Sequence, residues 1–391
     1  MRGVALATFT ALVTTLAACG GTAERAADGS ARTGAAGGDS AVTRVASLDS
    51  ATRRDTLARD GAMQPDSAAA RTASGVTGAD SARTTQDTTK RAPRPPVLRG
   101  RAVPDSAAIA SLDRDSARAS GWPVRGPQPL PGALLPNHRI IAYYGNPLSK
   151  RMGILGEIPP EEMVARLEKV AAEWQAADPT TKVLPALHLV ATVAQGSAGR
   201  DGKWRMKMND SLIAKVDAWA KQKGWLYFVD VQVGLSTLRE ELPRMRWILE
   251  QPHVHLGIDP EFSMKDGTPP GKKIGTFNAA DVNYAIDFLA QIVREKKLPP
   301  KVLIVHRFTR GMVTGYRDIR LDPAVQVVMQ MDGWGRPALK ISTFRAYVQS
   351  EPVQYTGFKL FYHNDTKGGQ PLMRPGEVLR LWPRPYYIQY Q

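Results

Sequence analysis

Two carboxylates stand one residue apart in Leu256-Gly257-Ile258-Asp259-Pro260-Glu261. Side chains two apart on an extended chain project to the same side, with Cα atoms roughly 6–7 Å apart. Pro260 restricts the backbone between them. Two acids in unlike environments are what glycoside cleavage needs, one kept protonated as general acid and one ionised. The reading assigns Glu261 as acid/base and Asp259 as its partner. Three other polar pairs repeat the i, i+2 spacing: Asp230 and Gln232, Gln330 and Asp332, His363 and Asp365. Asp230 and Asp332 join the catalytic set. Tyr144, Asn146, Gln232, His306, Gln330, Trp334, Lys359, Tyr362, His363 and Asp365 are the candidate substrate contacts.

These residues need elements that bring them to one place. Each pair closes a short apolar run, and amphipathic stretches separate the runs. The runs are Arg139–Tyr144, Val183–Val193, Trp225–Val233, Val254–Ile258, Lys301–Val305, Val325–Met331, Gly357–Tyr362 and Tyr386–Tyr390. Continuous apolarity predicts strands buried on both faces. Helices are predicted from Pro160, from Asn209 or Asp210, over 236–250 and over 278–296. A short helix is expected over 105–118. Eight strands with helices between them predict an α/β fold of the (β/α)8 TIM type, with the site at the C-terminal ends of the strands. The alternative, a doubly wound open sheet, lacks a glycine-rich turn after the first strand.

Three arrangements compete for the chemistry. His306 with Asp230, Asp259 and Asp332 is a possible metal set, but no short ligand spacing supports it, and neither a metal nor another cofactor is expected. His253-Val254-His255 opens the fourth run, at the opposite end from the site, and reads as structural. Gly267–Lys273 lacks the spacing of a phosphate loop, and no Gly-x-Ser-x-Gly elbow occurs.

Composition bounds the rest. The chain has 391 residues and a net charge of +15, with 8 Trp, 11 Tyr and 9 Phe. Only Phe9 and Trp122 among these aromatics precede residue 131. A stretch without aromatics, rich in Ala, Ser, Thr, Asp and Gly, buries too little apolar surface to offset its chain entropy. It also carries six irregularly spaced copies of Asp-Ser-Ala. Residues 19–130 are therefore expected to be a disordered low-complexity linker and 131–391 the barrel. The basic residues are scattered, without the spacing of a nucleic-acid-binding motif, so the positive charge points to anionic lipid or an acidic polymer, not to nucleic acid. A multi-span membrane protein and a disulfide scaffold are excluded, the latter because Cys19 is the only cysteine.

Cys19 has a telling context. Arg2 is a short basic region, and Val4–Leu16 is an apolar stretch too short to span a bilayer. Leu16-Ala17-Ala18-Cys19-Gly20 resembles a bacterial lipoprotein signal, which implies cleavage after residue 18 and acylation of Cys19, palmitate included. Two or three acyl chains would anchor the chain stably. The implied location is the cell envelope: the outer membrane of a diderm host, otherwise the outer face of the cell membrane. Asp259-x-Glu261 resembles the end of the chitinase-type Asp-x-x-Asp-x-Asp-x-Glu motif, with Val254 and Gly257 at the places of the first two acids. The phrases at 144–148, 229–232, 257–261, 330–333 and 357–362 together resemble a group of secreted bacterial lipoproteins with glycoside-hydrolase-type barrels. That resemblance implies the barrel fold, and the leading reading of the chain is a monomeric, membrane-tethered barrel acting on polysaccharide or peptidoglycan. A non-catalytic glycan-binding or cell-wall-attachment barrel and a metal-dependent hydrolase are the alternatives.

Overall fold

The computed structural model describes residues 106–391. The expected signal peptide, Cys19 and most of the expected linker lie outside the described residues.

Eight strands form the barrel: β1 His138–Gly145, β2 Lys182–Ala194, β3 Leu226–Val231, β4 Val254–Ile258, β5 Lys301–Arg307, β6 Val325–Met331, β7 Tyr355–Leu360 and β8 Tyr387–Tyr390. They coincide with the eight apolar runs to within a few residues. Each pairs in parallel with the next in chain order, and β8 pairs with β1, which closes the sheet. Closure gives each of the eight barrel strands a neighbour on both sides, and a short strand, Arg205–Lys207, pairs antiparallel with the end of β2.

The helices follow from local signals. Helix α2, Pro160–Ala177, starts on a proline with Glu161 and Glu162 in its first turn, and it buries Met163, Leu167, Val170 and Trp174 against the barrel. Helix α3, Asp210–Lys223, is capped by the Asn209 side chain and ends at Gly224, whose φ of 66° is the left-handed conformation of a helix C-cap. Helix α4, Ala279–Lys296, opens with a capping box between Asn278 and Asp281. The helix expected over 236–250 is broken into Leu238–Glu241, a 3-10 turn at Pro243–Met245 and Arg246–Leu249. Pro243 has no N–H to continue a regular ladder. Helix α5, Pro337–Phe344, follows β6. Among the described residues no helix is long and apolar enough to cross a membrane.

The packed part begins before residue 131. Helix α1, Ser106–Ala119, carries Asp113 into a buried position. There Asp113 accepts hydrogen bonds from Arg345 Nε (2.7 Å), Gln349 Nε2 (3.1 Å) and the Trp382 amide (3.0 Å). Trp122 is also buried, and its indole N–H donates to the Gln349 carbonyl (2.7 Å). Leu135 then plugs the N-terminal mouth of the barrel, its amide and carbonyl both bonded to the Gln326 side chain. The linker boundary expected at 130 thus lies at or before residue 106. The short helix expected over 105–118 is present as α1, and its attachment is hydrogen-bonded as much as apolar.

Two cores result. The larger lies between the outer faces of the strands and the helices. The smaller lies inside the barrel and includes Ile140, Ala142, Ala186, Phe228, Val302, Ile304, Val328 and Tyr387. These interior residues come from the N-terminal parts of the strands, which leaves the C-terminal parts for a different layer.

Candidate functional site

The interior changes character by one step of two residues. Ala142, Ala186, Phe228, Ile304, Val328, Gly357 and Tyr387 are followed on the same side of their strands by Tyr144, His188, Asp230, His306, Gln330, Lys359 and Gln389. All seven of the latter are at most 3 % exposed. On β4 the same step leads from Gly257 to Asp259. A polar layer therefore sits on an apolar one at the C-terminal end of the barrel, where a (β/α)8 fold carries its chemistry.

His306 is the hub. Its Nε2 lies 2.8 Å from Asp230 Oδ2 and its Nδ1 3.0 Å from Asp332 Oδ2. Ionised carboxylates only accept, so both ring nitrogens must donate, and the ring is an imidazolium. Burial alone would lower the His306 pKa, but the two carboxylates outweigh it and raise the pKa to about 10. Reciprocally, burial would raise Asp230, while His306 and His188 hold it well below the ordinary carboxylate range. Lys359 Nζ completes the group, 2.9 Å from Asp332 Oδ1 and 3.9 Å from the centre of the Tyr144 ring.

His188 behaves differently. Gln389 Nε2 lies 3.0 Å from its Nδ1. An amide nitrogen can only donate, so Nδ1 accepts, with the Tyr387 hydroxyl as a second partner at 2.5 Å, and the ring proton sits on Nε2. That nitrogen is 3.0 Å from Asp230 Oδ2, close in distance but without the angle of a good hydrogen bond. Burial lowers the His188 pKa to about 4, so the ring is neutral at pH 7.

Asp259 and Glu261 are 3 % and 8 % exposed. They are not successive positions of one strand, as the spacing predicted. Strand β4 ends at Ile258, and Pro260–Phe262 is a 3-10 turn that the Asp259 side chain caps by accepting the Glu261 amide (3.0 Å). Gln232 Nε2 donates to the other Asp259 oxygen (3.2 Å). Burial is the main cause that raises the Asp259 pKa, to about 7. His306 opposes it, and Glu261, Asp332 and Asp230 add to it. A carboxyl that keeps its proton near neutral pH is thus present at the mouth.

The structure brings together Tyr144, Asp230, Gln232, Asp259, Glu261, His306, Gln330, Asp332 and Lys359. Gln330 is fully buried beside His306 in the register, and neither of its amide atoms has a hydrogen-bond partner among the described residues. Trp334 is half-buried on the loop after β6, with Lys367 over its ring.

Four predicted contacts go elsewhere. Asn146 secures the loop after β1, donating to the Val190 carbonyl and accepting the Leu148 amide. Tyr362 packs on the outside of the barrel, stacked on Tyr390 and hydrogen-bonded to the Tyr143 hydroxyl. His363 and Asp365 are not on a strand, because β7 ends at Leu360. His363 is exposed and pairs with Glu157. Asp365 is buried against Lys340 Nζ (3.0 Å) and accepts the Gly335 and Phe361 amides, which ties the loops after β6 and β7 together.

Two members of the polar layer were not among the sequence candidates, His188 and Gln389, and neither was Tyr387 just below them, whose hydroxyl reaches His188 Nδ1. The available signal was a lone polar side chain inside an apolar run, two residues beyond a small or aromatic one.

His188, Asp230 and His306 offer ligand atoms within 4.8 Å of one another. A metal needs an unprotonated ring nitrogen. His306 faces a carboxylate at each nitrogen and keeps both protons, so the cluster as arranged is an ion network in which the cation is His306 itself. The barrel's other end holds a cavity of about 1180 Å³ lined by Trp122, Leu135, Tyr355, Trp382 and Tyr386. No acid or histidine lines it, so the chemistry points to the polar layer despite the size of that cavity. No protein-family model and no curated protein matches the chain.

Proposed function

We propose that this protein is a membrane-tethered barrel that cleaves an envelope or environmental polysaccharide in the manner of a glycoside hydrolase. Asp259, which holds the proton, serves as the general acid and Glu261 as its partner, the reverse of the roles expected from the sequence, and Asp230 and Asp332 shape the site. The observation that supports this reading is a carboxyl, Asp259, that holds its proton up to about pH 7 beside a second carboxyl at the C-terminal mouth. A glycosidic oxygen leaves only when protonated, and the carbocation-like centre that forms needs a negative neighbour. A protonated Asp259 and the Glu261 carboxyl two residues on supply both at one pH. Tyr144, Gln232, Lys359 and Trp334 are then the sugar-contacting groups.

One observation favours a second reading. Asp230, Asp259, Asp332 and Glu261 are 0 %, 3 %, 4 % and 8 % exposed. A sugar reaches them only if the covering loops move. A polar network closed in this way suits a barrel that binds glycan or attaches to the cell wall without cleaving it.

Incubating the full chain and its Glu261→Gln variant with a panel of polysaccharides separates the two. Cleavage by the wild type, lost in the variant while binding persists, supports the hydrolase. Binding without cleavage by either supports the second reading. The tether has its own test: Cys19→Ser should move the protein from the membrane to the soluble fraction, and an unchanged distribution would refute lipid anchoring through this residue.

A further inference from the structure

We propose that His306 is the positioning residue that decides which acid at the barrel mouth carries the proton: by bridging Asp230 and Asp332 it keeps both ionised and leaves the proton to Asp259. The inference rests on the hydrolase reading only for the use made of that proton.

The geometry separates the three aspartates. Asp230 and Asp332 each receive a charged donor, His306 Nε2 at 2.8 Å and His306 Nδ1 at 3.0 Å, and Asp332 has Lys359 as a second cation. The donors to Asp259 are neutral: the Gln232 amide at 3.2 Å and the Glu261 backbone N–H at 3.0 Å. Two cations and two anions sum to zero inside the barrel. An ionised Asp259 would add a negative charge without a hydrogen-bonded cation in a site that water barely reaches, and that is costly.

Other elements act in the same direction. The charged and titratable groups that act most strongly on Asp259 are His306 from β5, Asp230 from β3, Asp332 after β6 and Glu261 from its own turn. Three of these four are acids, and each disfavours a charge on Asp259. His306 favours one, but burial together with the three acids outweighs it. His188 does not substitute for it, because burial keeps its ring neutral at pH 7 and it brings no positive charge to Asp230. Removing the imidazolium should therefore redistribute the proton. Asp230 and Asp332 would lose their shared donor, and one of them would become neutral near pH 7.

The test reads protonation directly and needs no substrate. In the full chain uniformly labelled with 13C and 15N, the histidine ring and aspartate carboxyl signals of the wild type are assigned by through-bond correlation to their own backbones. The expected wild-type result is a His306 ring protonated on both nitrogens at pH 7, Asp230 and Asp332 both ionised at that pH, and Asp259 titrating near neutrality. In His306→Gln, Asp230 or Asp332 should take up a proton above pH 5. A wild-type His306 ring that is neutral at pH 7, or an Asp259 ionised throughout pH 5–8, overturns the inference, and these wild-type spectra decide it even where the variant does not fold. If a cleaved glycan is found, the alkaline limb of the wild-type pH–rate profile should shift by about one unit in His306→Gln, and an unmoved limb counts against the inference. If no glycan is cleaved, the hydrolase reading fails while the spectra still judge the charge assignment.

Discussion

His306 and Asp230 meet at 2.8 Å although their strands are not neighbours. Strand β4 lies between β3 and β5. The contact passes over Gly257, whose missing side chain opens the interior at that level. A Cβ at Gly257 would fall 2.6 Å from His188 Nε2 and 3.1 Å from Asp230 Cγ. This glycine is needed for space, because its φ is not among the positive values of the chain.

Gly257→Ala should therefore disturb the polar layer without breaking the sheet. The added methyl must push the His188 ring or the Asp230 carboxylate, and overpacking of this kind costs about 1–3 kcal/mol. Urea unfolding would measure the loss, and the His188 ring signals should move. A variant as stable as the wild type, with unmoved His188 signals, would show that the interior is looser than these distances imply.

Asp259 makes stability depend on pH with a sign that can be worked out. An aspartate in the unfolded chain titrates near about 3.9, and Asp259 in the folded state near about 7. Between these values the folded protein holds a proton that the unfolded chain has released, so stability falls as pH rises through this window. Asp259→Asn removes the titration and keeps the shape. Relative to the variant, the wild type should lose roughly 1–3 kcal/mol between pH 5 and pH 8. Denaturation of both proteins at pH 5, 6, 7 and 8 gives the difference. A difference that stays constant with pH would contradict the raised titration.

Asp113 tests how firmly the segment before residue 131 belongs to the barrel. Its carboxylate accepts from Arg345, Gln349 and the Trp382 amide in a buried position. In Asp113→Ala the Gln349 side chain and the Trp382 amide lose that partner. Each buried unsatisfied group costs about 1–3 kcal/mol. The thermal midpoint should drop by roughly 2–4 °C per kcal/mol for a folded part of this size. A midpoint unchanged within error would mean that helix α1 adds nothing to the barrel.

Much of this molecule is legible in its amino-acid order. The eight apolar runs became the eight strands because burial on both faces leaves a continuous signal. Helices α2, α3 and α4 announced themselves through proline, cap and acid positions that act within one turn. The convergence of Asp230, Asp259, Glu261, His306, Asp332 and Lys359 was readable too, since strand ends of a parallel barrel all open on one face. Tertiary structure decided the rest. Asn146, Tyr362, His363 and Asp365 share the residue types of the site but were drawn elsewhere, because β1 and β7 end before those residues and the loops then choose their own partners. His188 and Gln389 were invisible as a pair, being 201 residues apart in the chain and joined only when β8 closes on β1. That Asp259 is the acid of the pair that carries the proton, and that His306 is charged, belong to the fold alone. Each is set by burial and by charges from other strands, which residue types and spacing do not encode.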